Sequence, residues 1–368
     1  MTIILFILVL VALIVVHEFG HFVVAKLSKM RVDEFGIGYP PRAWVFKKGE
    51  TEYSLNWLPF GGFVKIYGED EQDKVEATSD NHRSFSARPR ILQALVLLAG
   101  IGMNLLFAWI LLTAALGLGT TRALNPEEIP SARNVQLFVA DVLPGAPAQL
   151  AGLMPGDSFK SASFGTHTFS GYDAMQFTTF VASDTTLEPI SILVLRNDKE
   201  VTVHAIPRKG VITSDTQRPA LGVAVATSGT LPISWRDAPK DGAILTWEIT
   251  KETAKGLTHF FVGIFTFTAD LSQVSGPIGI AGAVGSASSH GLTALLSLTA
   301  LISINLALIN VLPLPALDGG RLLFVIIESI IRRPIPAKVG RAVNTGGFAF
   351  LILLMVVVTA HDLLKAFI

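Results

Sequence analysis

The chain has 368 residues, half of them hydrophobic, with a mean hydropathy of +0.53, too apolar for an ordinary soluble protein. Its 29 basic residues balance 29 acidic ones, so no global field points to nucleic acid. It has no cysteine, which excludes disulfides and thiolate metal sites and leaves His, Asp and Glu as the ligands for any metal.

A helix rises ~1.5 Å per residue and must cross ~30 Å of hydrocarbon, so apolar runs of about 20 residues read as membrane spans. The first covers 3–25, within a helix expected over 1–27. It lacks a basic leading segment and a small-residue cleavage site, so it does not read as a signal peptide. Residues 28–90 are polar. Within them YSLNWLPFGGFVKIYG (53–68) is β-branched, aromatic and broken by Pro59, Gly61 and Gly62, which predicts a hairpin too short to span. EDEQDKVEATSDNHRS (69–84) is an acidic loop. The second span is 91–119.

Residues 125–210 carry charges and short strand-like runs, with turn signals around a short helix in PGAPAQLAGLMPGDS (144–158). They predict a soluble α+β domain of about 85 residues, followed by a Thr-, Ser- and Pro-rich linker over 211–240. In 241–268, Ile249, Thr253, Leu257, Phe260 and Ile264 fall largely on one helical side, either lying on the membrane surface or covering the core. SGPIGIAGAVGSASSHG (275–291) reads as a small-residue loop. The third span, 292–318, is interrupted by Asn305, Asn310, Pro313 and Pro315; the fourth is 343–366. Glu328 is expected to pair with Arg332 four residues on. The fold class is thus a polytopic α-helical membrane protein with four spans and an inserted α+β domain.

Lys26, Lys29, Arg31, Arg42, Lys47 and Lys48 follow the first span, and Arg321, Arg332, Arg333, Lys338 and Arg341 lie between the third and fourth. The positive-inside rule places both segments in the cytoplasm, and the 125–240 region with both chain ends outside.

The first span holds HEFGH (17–21), the pattern H-E-x-x-H, in otherwise apolar surroundings. A charge at bilayer depth costs at least ~2.5 kcal/mol on insertion scales, so such residues are functional or paired by default. Helical positions four apart lie ~40° apart around the axis, so His17 and His21 share one face. Two imidazoles there can hold a zinc ion, with Glu18 beside it as general base. A catalytic zinc takes three protein ligands, so one more carboxylate or His is needed. The best candidate is Asp318 in NVLPLPALDGG (310–320), expected at the same membrane side.

HEFGH together with NVLPLPALDGG resembles the site-2 protease family of intramembrane zinc metalloproteases (peptidase M50 type), nearest to its bacterial RseP-like branch. NWLPFGGFVKIYGED is similar to that family's membrane re-entrant β-hairpin, PGAPAQLAGLMPGD to its PDZ domain, and SGPIGIAG to its segment before the third core span. Residues 211–240 leave no room for a second PDZ domain. The resemblance implies zinc as cofactor, held by His17, His21 and Asp318, with Glu18 as catalytic base. Asn310 matches a family asparagine that contacts substrate near the metal. Asn104 remains in AGIGMN (99–104), where the family often carries a proline as well. An α-helix hides its carbonyls, so a transmembrane substrate must unwind before hydrolysis. The freed backbone is expected to meet Asn310 and Asn104, and the hairpin residues Asn56, Gly61, Gly62 and Phe63 are expected to offer it an edge strand.

The resemblance further implies a multi-pass protein of the bacterial cytoplasmic membrane, in contact with lipid, with its active site near the cytoplasmic side. Partners would be single-span membrane protein substrates, such as anti-sigma factors or signal-peptide remnants, and an upstream site-1 type protease. The PDZ-like domain would bind a new C-terminus or exclude untrimmed substrates, the second being favoured. A catalytically silent zinc-binding scaffold presenting that domain is the alternative; an intact Glu18 counts against it. A transporter would want charges across several spans and an inverted repeat, and neither is present.

Overall fold

The computed structural model describes residues 2–69, 79–196, 199–211, 215–266, 268 and 276–367. Most of the expected acidic loop therefore lies outside the described residues. The chain forms two compact units: residues 1–117 with 234–368, and the inserted residues 118–233.

The first unit opens with α1 (Thr2–Leu27), β1 (Val32–Lys48), β2 (Thr51–Ile66) and α2 (Arg90–Leu118). Four of the described helices are long and apolar enough to cross a membrane: α1, α2 and, later in the chain, α7 (Leu292–Val311) and α9 (Ala337–Phe367), the last through its Lys338–Ala360 portion. With an inserted β-rich unit, this is the architecture of a membrane protein. Helices α1 and α2 cross closely where Gly20 lies on the Ala99 carbonyl, leaving no room for a side chain.

The β1 and β2 strands depart from the expected hairpin. Residues 53–66 do not fold back on themselves; they belong to one long strand, and the tight turn is at Gly49–Glu50. The register reveals four segments. Arg42–Lys48 lies antiparallel to Thr51–Asn56, while Phe35, Gly36 and Ile37 sit beside Tyr53, Ser54 and Leu55 on one side and Val64, Phe63 and Gly62 on the other. The break around Pro59–Gly61 is thus a crossover between two pairings, so Pro59 and the glycines mark a change of partner rather than a hairpin tip. The turn is pinned by Glu50, which accepts hydrogen bonds from Arg83 at 2.7 Å and Lys26 at 2.8 Å. The Arg83 guanidinium, helped by Lys26, holds the Glu50 carboxyl down at about 2.

Between 118 and 233 lie β3 (Thr120–Ala123), β4 (Arg133–Val142), α3 (Pro147–Leu150), β5 (Ser158–Phe164), β6 (His167–Phe169), α4 (Ala174–Ala182), β7 (Ile190–Arg196), β8 (Lys199–Ala205) and β9 (Val223–Leu231). The antiparallel sheet runs β3-β9-β4-β5-β7-β8, with β6 paired to β5. Its core is Leu137, Val139, Phe159, Phe177, Ile190, Ile192 and Val194. β9 falls in the segment expected to be a linker, yet it lies between β3 and β4. The inserted unit is accordingly larger than 125–210. Asp157, 1 % exposed, forks to Arg196 at 2.7 and 2.6 Å and accepts from the Met154 amide. Burial alone would raise its carboxyl, but the Arg196 guanidinium holds it below the usual range.

The first unit resumes with α5 (Ala238–Thr266), α6 (Pro277–Ser289), α7, α8 (Asp318–Ile331) and α9. α5 covers the core: Leu245 and Ile249 pack on Ala108, Leu112 and Ile304, and the Trp109 indole donates to the Pro239 carbonyl. The 275–291 segment is mostly helical rather than a loop. Its Gly, Ala and Ser residues let α6 lie close on α1, with Val284 buried against Val9 and Leu13. Asp362 of α9 accepts from the Gly279 amide at 2.9 Å, satisfying one of the free donors at the start of α6. Glu328 pairs with Arg90 at 2.8 Å and accepts from the Ile335 amide, in place of the expected Arg332.

Candidate metal centre

The third span ends at Val311, earlier than 318, because Pro313 and Pro315 cannot continue the hydrogen-bond ladder. The helix is interrupted over 312–317 and the chain restarts as α8 at Asp318. Gly319 lies on the Val311 and Leu312 carbonyls and Gly320 on that of Leu314, so the glycine pair admits the preceding segment of its own chain. The turn fixes Asp318 in the first turn of α8.

Asp318 meets both histidines there. Its Oδ2 is 2.9 Å from His17 Nε2 and 3.2 Å from His21 Nε2, and the two Nε2 atoms are 3.1 Å apart. Both rings are buried, at 7 % and 8 % exposure. Glu18 lies within electrostatic reach of all three, with its side chain against Gly62 of β2.

This triangle suits zinc. Ligand bonds of about 2.0–2.1 Å in a tetrahedron set the donors about 3.3 Å apart, a few tenths of an ångström beyond the distances found. His21 Nδ1 donates to the Val96 carbonyl at 2.8 Å, which leaves the Nε2 lone pair for a metal. Among the described residues His17, His21 and Asp318 form the one group of three or more His, Asp or Glu side chains close enough to share an ion.

Of the six residues expected to meet substrate, the structure brings Asn310 to the centre: its Nδ2 is 3.5 Å from His17 Nε2. Asn104 also reaches the centre, but from beneath, with no exposed surface and its Nδ2 3.2 Å from His17 Nδ1. Asn56 is turned into its own sheet, donating to the Ile37 and Gly38 carbonyls and to Ser54 Oγ, so it braces the strand break. Gly61 and Gly62 lie against α1; a side chain on Gly62 would meet the Gly36 carbonyl, Val15 and Glu18. Phe63 packs its ring over Gly36 and stacks with Tyr39.

The sequence reading missed Gly100. A Cβ there would lie 2.5 Å from His21 Nε2 and 2.7 Å from His17 Cε1. Val96, Gly100 and Asn104 recur every four residues, forming the face of α2 on which both imidazoles rest. Of the three only Gly100 is small, so the small-residue repeat that marks a close helix crossing is not on this face.

Two histidines of the membrane-capable helix α1 and an aspartate at the start of the shorter α8, with a glutamate beside them, are the side-chain set of a zinc metalloprotease. Comparison with known sequences agrees. Residues 5–354 match the model of Peptidase family M50, and the chain belongs to that family. It is 35 % identical over 354 residues to a candidate zinc metalloprotease of Clostridium perfringens, covering 96 % of each chain. A similar protein of a Nostoc species is 33 % identical over 362 residues, covering 96 % of this chain and 93 % of its own. The regulator of sigma-W protease RasP of Bacillus subtilis is 27 % identical over 447 aligned positions, covering 100 % of this chain and 99 % of its own.

Proposed function

We propose that His17, His21 and Asp318 hold the catalytic zinc, that Glu18 is the general base, and that the enzyme cuts single-span membrane proteins inside their transmembrane segment. The observation that carries this reading is the convergence of the three donor atoms within 3.2 Å of one another beside Glu18. When bound, the zinc supplies a Lewis acid that polarises a peptide carbonyl and acidifies a water molecule. Glu18 takes the proton from that water and passes it to the departing amine. Asn310, beside His17, donates to the carbonyl oxygen as charge builds on it. The Gly62–Ile66 segment has one partner in its sheet and lies along α1 at Val15 and Glu18, so an unwound substrate can extend that sheet past the base.

In this reading the centre lies toward the cytoplasmic side of a bacterial membrane and the β1–β2 sheet re-enters the membrane beside it, as the basic residues after α1 and α8 argue. The inserted unit is PDZ-like and faces outward. Its groove of about 240 Å³ between α4 and residues 218–224, lined by Leu143, Phe177, Val181 and Leu221 with Arg218 at hand, favours a peptide-binding role over a purely steric one. Substrates of the anti-sigma type, trimmed first by another protease, fit this arrangement.

The test uses the purified chain and Glu18→Gln in detergent with a model transmembrane substrate. Zinc near one per chain in both, with cleavage by wild type alone, is expected. Zinc in both and cleavage in neither, across several substrates, would favour the silent scaffold. Absence of zinc from both would defeat the metal centre.

A further inference from the structure

We infer that Asn104 is a positioning residue for His17, whose amide oxygen accepts the Nδ1 hydrogen and so presents the Nε2 lone pair to the metal. The inference rests on the metal-centre reading above and replaces the substrate contact expected of this side chain.

Three observations converge on it. His17 can ligate through Nε2 only if its ring hydrogen sits on Nδ1, and that hydrogen then needs an acceptor. Asn104 is the one side chain within hydrogen-bond distance of His17 Nδ1 among the described residues, at 3.2 Å. As oriented, Nδ2 faces the ring and the buried Oδ1 has no partner among the described residues. Rotation of the amide by 180° exchanges the two atoms, gives Oδ1 the Nδ1 hydrogen and removes the stranded acceptor.

The surroundings fit a positioning role. Asn104 has no exposed surface, so an incoming peptide cannot reach it. Its backbone carbonyl takes a hydrogen bond from Ser303 Oγ of α7 at 2.8 Å, which ties α2 to the helix leading into the Asp318 turn. Two turns earlier on the same face, the Val96 carbonyl does for His21 what the Asn104 amide does for His17. One face of α2 therefore sets the tautomer of both imidazoles, with Gly100 between them giving the rings room. Metal-ligating histidines are ordinarily held this way, and loss of such a partner costs about 10–100-fold in metal affinity.

Two variants separate this role from simple packing. Asn104→Leu keeps the approximate volume and removes the acceptor; Asn104→Asp keeps the acceptor and removes the donor. Zinc dissociation constants are read by competition with a chromophoric chelator on the full chain in detergent, with melting temperatures of the stripped proteins alongside. The leucine variant is expected to bind zinc about 10–100-fold more weakly at a similar melting temperature. The aspartate variant should bind within about threefold of wild type or more tightly, as carboxylate–histidine pairs do. Unchanged zinc affinity in the leucine variant would overturn the inference. So would a loss in the aspartate variant as large as in leucine. Should the leucine variant not fold, the aspartate variant decides alone: retention supports the role and a tenfold loss refutes it. A wild type that binds no zinc defeats the metal centre itself, whereas wild type and leucine variant binding equally well defeat only the assignment of Asn104.

Discussion

Gly100 offers the sharpest test of how the centre is packed. In Gly100→Ala the new methyl would lie 2.5 Å from His21 Nε2 and 2.7 Å from His17 Cε1, against one ring held by the Val96 carbonyl and another held by the Asn104 amide. To restore an ordinary contact of 3.4 Å, the His21 ring must retreat by about 0.9 Å, while a zinc site tolerates ligand displacements of about 0.2 Å. Overpacking of this kind costs about 1–3 kcal/mol, and if the strain falls on the metal-bound form it weakens zinc binding about 5–150-fold. Gly102→Ala is the matched control: same helix and same methyl, but nothing within 4 Å of the new atom. It should leave zinc affinity alone and gain about 0.5–1 kcal/mol from helix propensity. Chelator competition and thermal melts on the two variants read both quantities. Zinc affinities within twofold of each other would refute the claim that Gly100 makes room for the imidazoles.

Asn310→Ala should lower turnover by about 100–1000-fold, the cost of one lost donor to a developing oxyanion, with zinc still at one per chain; zinc loss in parallel with activity would instead make Asn310 part of the metal site. Asp157→Asn breaks a partly buried forked ion pair and should destabilise the inserted unit by about 1–3 kcal/mol, seen as an early transition in denaturant melts of the full chain. The Asp157 carboxyl is depressed in the folded protein, so its stabilisation is fully present above the unfolded value of about 3.9 and is lost as pH falls through the folded value. Melts from pH 6 downward should therefore show less loss of stability below pH 4 in the asparagine variant than in wild type, and parallel curves would contradict the ion pair's role.

Much of the centre was legible because its chemistry is written in residue types that a membrane span does not otherwise tolerate. His17, Glu18, His21 and Asp318 stand out against apolar neighbours, and the prolines before Asp318 announce the break that frees it. The amides were harder. Asn56, Asn104 and Asn310 look alike in sequence, yet one braces a strand break, one meets His17 Nδ1 and one sits beside His17 Nε2. An amide can serve protein or substrate equally, and only burial and partners separate the roles. The hairpin was misplaced because Pro59 and Gly61–Gly62 mark a change of pairing as readily as a tight turn. β9 was hidden by its Ala, Thr, Ser and Gly side chains, which read as linker but fit between two neighbouring strands.

The way the chain enters and leaves the inserted unit has a modular consequence. Thr120 of β3 sits opposite Leu231 of β9, so the outgoing and returning strands run side by side as a two-stranded stem. Within the other unit, Gly117 at the end of α2 rests against Trp235, just before α5. The two cut points are therefore neighbours in each unit separately. Residues 118–233 are in this sense a topological cassette, entered and left through adjacent strands.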